Sequence, residues 1–150
     1  MKNYQRILIA VTSAVQSDIL LERAVEVARD RRAQIMVLRI LDTTGSFEPD
    51  GPAASLPGES AARRAPEARR QLELQLARKN LGWAEARVVW GDPPSLLAAM
   101  VHSWNPDLVV ACTGGLAHGV ADNADALMVD CGGILKRFSG LLFHPELRHA

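Results

Sequence analysis

Two short runs of unbroken apolar residues constrain this chain more than any other feature. Ile7-Leu8-Ile9-Ala10-Val11 stops at Thr12-Ser13, and Leu108-Val109-Val110-Ala111-Cys112 stops at Thr113-Gly114-Gly115. A strand with one wet face alternates apolar and polar residues. A run without alternation belongs to a strand buried on both faces, as in a parallel sheet covered by helices. The polar residues at the carboxyl ends then fall where open α/β sheets take their ligands.

The rest of the sequence fits that class. Ser13 and Gln16 have the spacing of a capping box, in which Gln16 reaches back to the N-cap residue. Leu21, Ala24, Val25 and Ala28 form the apolar stripe of the helix that follows, and Arg29, Arg31 and Arg32 suit its last turn. Ile35 to Leu41 reads as a second strand, which completes a βαβ unit. From about residue 43 to 65 the pattern dissolves into Gly, Pro, Ser and Ala, predicting a long flexible loop with little apolar surface to order it. A helix is expected to start near Pro66 and to close at Gly82. Its arginines are interleaved with Glu67 and Glu73, which marks a solvated face.

Ala86 to Trp90 is a third strand, followed by Asp92 as N-cap, Pro93 in the first turn and a stop at Asn105-Pro106. Leu108 to Cys112 is the fourth. The last third predicts a helix from Ala121 to Phe138, interrupted by Gly132-Gly133, and a closing strand at Leu141 to Phe143.

Composition excludes several classes. The 17 acidic residues balance 17 Lys and Arg, so no net charge draws the chain to nucleic acid or anionic lipid. No apolar run approaches the roughly 20 residues that cross a bilayer, and the first strand begins too early for a signal peptide. At 150 residues a single domain is expected, in the cytoplasm. Cys112 and Cys131 have neither metal-ligand nor redox-motif spacing and read as buried free thiols.

The words along the chain resemble those of the universal stress protein family. Tyr4-Gln5-Arg6-Ile7-Leu8-Ile9-Ala10-Val11 is similar to the family's opening strand, and Glu22 to Ala28 to its first helix. Gly91-Asp92-Pro93 and Pro106-Asp107-Leu108-Val109-Val110 resemble its third-strand exit and fourth strand. The resemblance covers about residues 4–42 and 66–115. It implies an α/β fold of the adenine nucleotide alpha hydrolase-like kind, with five parallel strands in the order 3-2-1-4-5 and helices on both faces. It also implies a homodimer acting in stress resistance.

One branch of the family binds ATP through Gly-x-x-Gly and a later Gly-Ser or Gly-Thr, whose backbone N–H groups and hydroxyl meet the phosphates. Aligning Gly115 with the second glycine puts Cys112 on the first, and Asp125-Ala126 where Gly-Ser is expected. Thr12 stands in place of the acidic residue that faces the ribose. The resemblance therefore implies a degenerate nucleotide site at Ala10, Thr12, Ile40, Cys112, Gly115, Asp125 and Ala126, with the Ile40 backbone against the base. ATP is expected to bind weakly, and no other cofactor is expected.

Catalytic candidates are thin. Ser95 has no base beside it, and His118, Asp122 and Asp125 suit a solvated helix start better than a metal. His102 reads as structural, and Trp83, Trp90 and Trp104 read as core or interface packing and not as a base-stacking platform. The expectation is a non-catalytic domain that works by contact with an unknown protein partner. The alternative is an adenine-nucleotide sensor, and a slow nucleotide hydrolase is the weaker third.

Overall fold

The computed structural model describes residues 4–28, 33–45, 58–114, 116 and 124–131. The elements are β1 (Arg6–Val11), α1 (Ala14–Val27), β2 (Gln34–Asp42), α2 (Gly58–Arg78), β3 (Glu85–Gly91), α3 (Pro93–Trp104), β4 (Leu108–Cys112) and β5 (Asp125–Val129). The strands form one sheet in the order β3-β2-β1-β4-β5, and every pairing is parallel. β1 and β4 are thus internal, with Val11 and Val109 fully buried, as their unbroken apolar runs require.

Period-two geometry sorts the strand residues onto two faces. Ile7, Ile9 and Val11, with Ile35, Val37, Leu108 and Val110, pack against Leu20, Leu21 and Ala24 of α1 and Leu72 and Leu76 of α2. Leu8, Ala10, Met36, Leu38, Ile40, Val109 and Ala111 pack on the other face against Leu97 and Val101 of α3. The apolar sheet is therefore the middle layer of three.

The helix ends follow from their residues. Ser13 caps α1 by accepting from the Gln16 N–H at 3.2 Å. Asp92 caps α3, and Asn105 ends it in the left-handed conformation at φ 55°. α2 departs from expectation at both ends. It starts at Gly58, well before Pro66, and carries that proline inside. The missing N–H of Pro66 costs one helical hydrogen bond, but the turns before it are rich in alanine and Ala61 is fully buried. Its closing residue is Asn80 at φ 60°, not Gly82. The Asn80 N–H donates to the Ala77 carbonyl at 3.2 Å and the Leu81 N–H to the Leu76 carbonyl at 2.8 Å. That pair of bonds is a Schellman turn, sealed by the buried Leu81.

The solvated face of α2 is as expected, with Arg69–Glu73 and Arg70–Glu67 pairs more than half exposed. Lys79 instead crosses to α1, with Nζ 2.9 Å from Glu22 and 3.2 Å from Asp18. The hydrogen bond to Glu22 raises its pKa above the ordinary lysine value, against a smaller opposing effect of burial and with help from Asp18. A raised pKa means that the stabilisation is complete below the ordinary lysine range and is lost as pH climbs through the elevated value. Both carboxylates are mostly exposed, so Lys79→Met should cost under about 1 kcal/mol near neutrality. Urea midpoints of the two proteins should converge in strongly alkaline buffer; a gap that widened there would contradict the sign.

Three further readings are corrected. Asp125 to Val129 is a strand, not part of a helix, and it forms the sheet edge assigned by sequence to Leu141–Phe143. Residues 141–143 lie outside the described residues, as do Arg29, Arg31, Arg32, Gly132, Gly133 and positions 46–57 of the expected loop. Trp83 and Trp90 are about half exposed, which overturns only the core half of the core-or-interface reading, and His102 is exposed. Trp104 stacks under the Arg6 guanidinium at 4.3 Å, and its carbonyl accepts from Arg6 Nε and Nη2.

The third correction concerns the cysteines. Cys112 and Cys131 are joined in a disulfide, with Cα atoms 5.6 Å apart. Because β5 runs beside β4 with Val129 opposite Cys112, the chain two residues later brings Cys131 to the same core face. The free-thiol expectation failed because it did not place a strand there.

Candidate functional site

The carboxyl ends of the strands gather four polar turns: Thr12-Ser13 after β1, Thr43-Thr44 after β2, Asp92 after β3 and Thr113-Gly114 after β4. The strand order reverses between β1 and β4, so the two flanking turns border a topological switch point, where sheets of this kind form a ligand crevice. Gly114 has φ 126° and open space around its Cα, so the backbone there adopts a shape that a side chain would strain.

The hydrogen bonds at this end are mostly satisfied within the protein. Gln16 Oε1 accepts from the Thr12 N–H at 3.0 Å and from Thr12 Oγ1 at 2.9 Å. The carboxamide thus folds over the end of β1 and not back to the Ser13 N–H. Asp42 is fully buried at the end of β2, and its Oδ1 accepts from the Thr44 N–H at 2.8 Å and Oγ1 at 2.6 Å. Asp92 accepts from the Ser95 N–H at 3.3 Å and Oγ at 2.6 Å. The Thr43 N–H donates to the Gly91 carbonyl, which ties the β2 and β3 turns together. The Asp42 and Asp92 carboxylates therefore serve as a turn cap and a helix cap.

Of the residues singled out by sequence, Ala10, Thr12 and Ile40 come together at this end. Thr12 directly follows β1, while Ala10 and Ile40 are fully buried in the core on the α3 side of the sheet. Cys112 is also here, but as half of the disulfide. Gly115, His118 and Asp122 lie outside the described residues. Asp125 and Ala126 are not at this end at all. They pair with Leu108 and Val109 at the start of β4, about 13 Å and about 10 Å from its carboxyl end along the strand. Asp125 accepts from the Tyr4 hydroxyl at 2.7 Å, and its N–H donates to the Asp107 carbonyl. The residue count that put them against a phosphate assumed a helix after β4, and the chain enters β5 there instead.

Two site residues escaped the sequence reading. Asp42-Thr43-Thr44 has the composition of an Asx turn, a signal that was present at the end of the second strand. Gln16 reads as a capping partner of Ser13, but its carboxamide binds the adjacent Thr12 instead.

A three-layer parallel sheet in the order β3-β2-β1-β4-β5, with polar turns at the carboxyl ends of its strands, defines a doubly wound α/β domain. The family model of the universal stress proteins matches residues 3–122, and the chain belongs to that family. Solved structures agree on the fold. The hypothetical protein MJ0577 superposes with a TM-score of 0.65 at 14% identity, covering 88% of this chain and 99% of that one. Universal stress protein UspA from Lactobacillus plantarum gives 0.60 at 21% identity, covering 86% and 99%. A universal stress protein in complex with cAMP gives 0.58 at 18% identity, covering 87% and 100%. No curated protein sequence matches the chain.

Proposed function

We propose that this universal stress protein domain acts without catalysis, as a cytoplasmic homodimer that works through contacts with another protein. One observation carries the non-catalytic part: among the described residues, Asp42 and Asp92 at the carboxyl ends of β2 and β3 accept from Thr44 and Ser95. A general base needs a carboxylate or imidazole aimed at a reacting group, and both of these hold the backbone in place instead.

A second reading, an adenine-nucleotide sensor, is favoured by the fold shared with the cAMP-bound neighbour and by Ala10, Thr12 and Ile40 meeting at the crevice. Against tight binding stand Thr12, whose hydroxyl and N–H are held by Gln16, and Cys112, locked to Cys131. Asp125 no longer counts against it, since it lies at the other end of the sheet. Losing two charge-assisted bonds of about 1.5–3 kcal/mol each puts the expected Kd for ATP above roughly 100 μM. Calorimetric titration with Mg-ATP and with cAMP should show at most weak heats, and light scattering at micromolar concentration should give twice the chain mass. A low-micromolar constant would install the sensor reading, phosphate release above background would refute the absence of catalysis, and a single-chain mass would refute the dimer.

A further inference from the structure

We propose that the Cys112–Cys131 disulfide is a reversible redox latch that fastens the edge strand β5, so that reduction loosens this edge while the rest of the sheet stays folded. The inference goes beyond the reading of the crevice and does not depend on it. The bond joins the last residue of β4 to the residue two beyond β5, fastening the carboxyl end of the strand covalently. The amino end is held by non-covalent ties, among them the Asp125 N–H to the Asp107 carbonyl and the Tyr4 hydroxyl on Asp125. Between these ties β5 pairs with one strand, and Ala126 and Met128 on one of its faces are exposed. Leu127 and Val129 reach the first core from the other face, and both are only partly buried.

β4 differs in every one of these respects. It lies between β1 and β5 with all five residues buried. Opening the bond therefore removes a constraint from the least-buried strand at the sheet's margin and leaves the central strands with their pairings. Local opening free energies run lowest at such margins.

The exchange partner is a small-molecule thiol–disulfide couple such as glutathione. In closure, one cysteine thiolate attacks the small disulfide, forming a mixed disulfide and releasing one thiol. The second cysteine then attacks the mixed bond and expels the other small thiol. Two cysteine thiols are oxidised, one disulfide is reduced to two thiols, and the two protons pass to the released thiols. Where thiols are kept reduced, a disulfide in a folded domain is most often of this transient, sensing kind.

The test combines thiol counting with hydrogen exchange on the full chain. Protein purified without reductant should show no reactive thiol after denaturation, and two after dithiothreitol. In the reduced state, backbone amides of Ala126 to Val129 should exchange at least about tenfold faster through a local opening, while those of Ile9 and Val37 stay the best protected and lose no more than the fall in global stability. Oxidised glutathione should restore the slow rates. Cys131→Ala should behave as the reduced protein does, with or without reductant. Two free thiols in unreduced protein, or β5 rates unchanged on reduction, would overturn the latch. So would β5 amides that open with the same free energy as those of Ile9 and Val37 in the reduced chain or in Cys131→Ala, since the bond would then be a staple of the entire fold and not a latch on its edge.

Discussion

Ile9→Ala should lower the unfolding free energy by about 3 kcal/mol, whereas Val88→Ala should cost less than about 1. Ile9 is fully buried in β1 and is flanked in register by Val37 on one side and Val110 on the other. Truncating it removes three carbons from a place where strands and helices close in from every direction, so the structure can collapse little into the void. Val88 lies on β3, the outermost strand on that side, and is only partly buried. Water or a neighbouring side chain can take up most of the space it leaves. Equilibrium urea unfolding with an unchanged m-value measures both effects. Similar costs at the two positions would contradict a sheet in which β1 is central and β3 marginal.

The contrast between those strands also explains what could be seen in the sequence. β1, β2 and β4 are internal, so both faces must be apolar, and a run such as Leu108 to Cys112 announces itself without knowledge of its neighbours. α3 was equally legible, because Asp92, Pro93 and Asn105 act within one turn of where they stand. β5 was not. Ala126, Leu127 and Met128 are good helix formers, and an edge strand carries no two-faced apolar signature to overrule that preference. α2 hid its start for a similar reason: Pro66 is a strong local signal for a helix boundary, and the burial of Ala61 that outweighs it is a tertiary fact.

The site inherits this division. Thr12, Ala10 and Ile40 lie toward the carboxyl end of the sheet because the strands that carry them, β1 and β2, are legible from their apolar runs. Asp125 and Ala126 were carried to the wrong end of the sheet because their position was counted from β4 through a segment whose structure was misassigned. The cysteine pairing depends on the register of β5 against β4, which brings Cys131 close to Cys112. No local pattern around either cysteine encodes that register.

The same pairing supports the second large expected effect. Cys131→Ala should destabilise the oxidised protein by about 3 kcal/mol and lower its Tm by roughly 10 °C. The sequence separation between the two cysteines is 19, so the bond removes from the unfolded chain the freedom of a loop of that order. The chain-entropy relation for such a loop gives about 3 kcal/mol. The folded state loses less, because Cys131 is a small side chain at the border of the core and alanine keeps its Cβ. A single domain commonly has about 5–15 kcal/mol in hand, so the variant should still fold cooperatively. Differential scanning calorimetry with and without dithiothreitol separates the causes. Reductant should lower the Tm of the parent protein to near that of Cys131→Ala and leave the variant unchanged. If the variant lost stability while the parent ignored reductant, the effect would belong to packing around Cys131, and the disulfide would have no part in it.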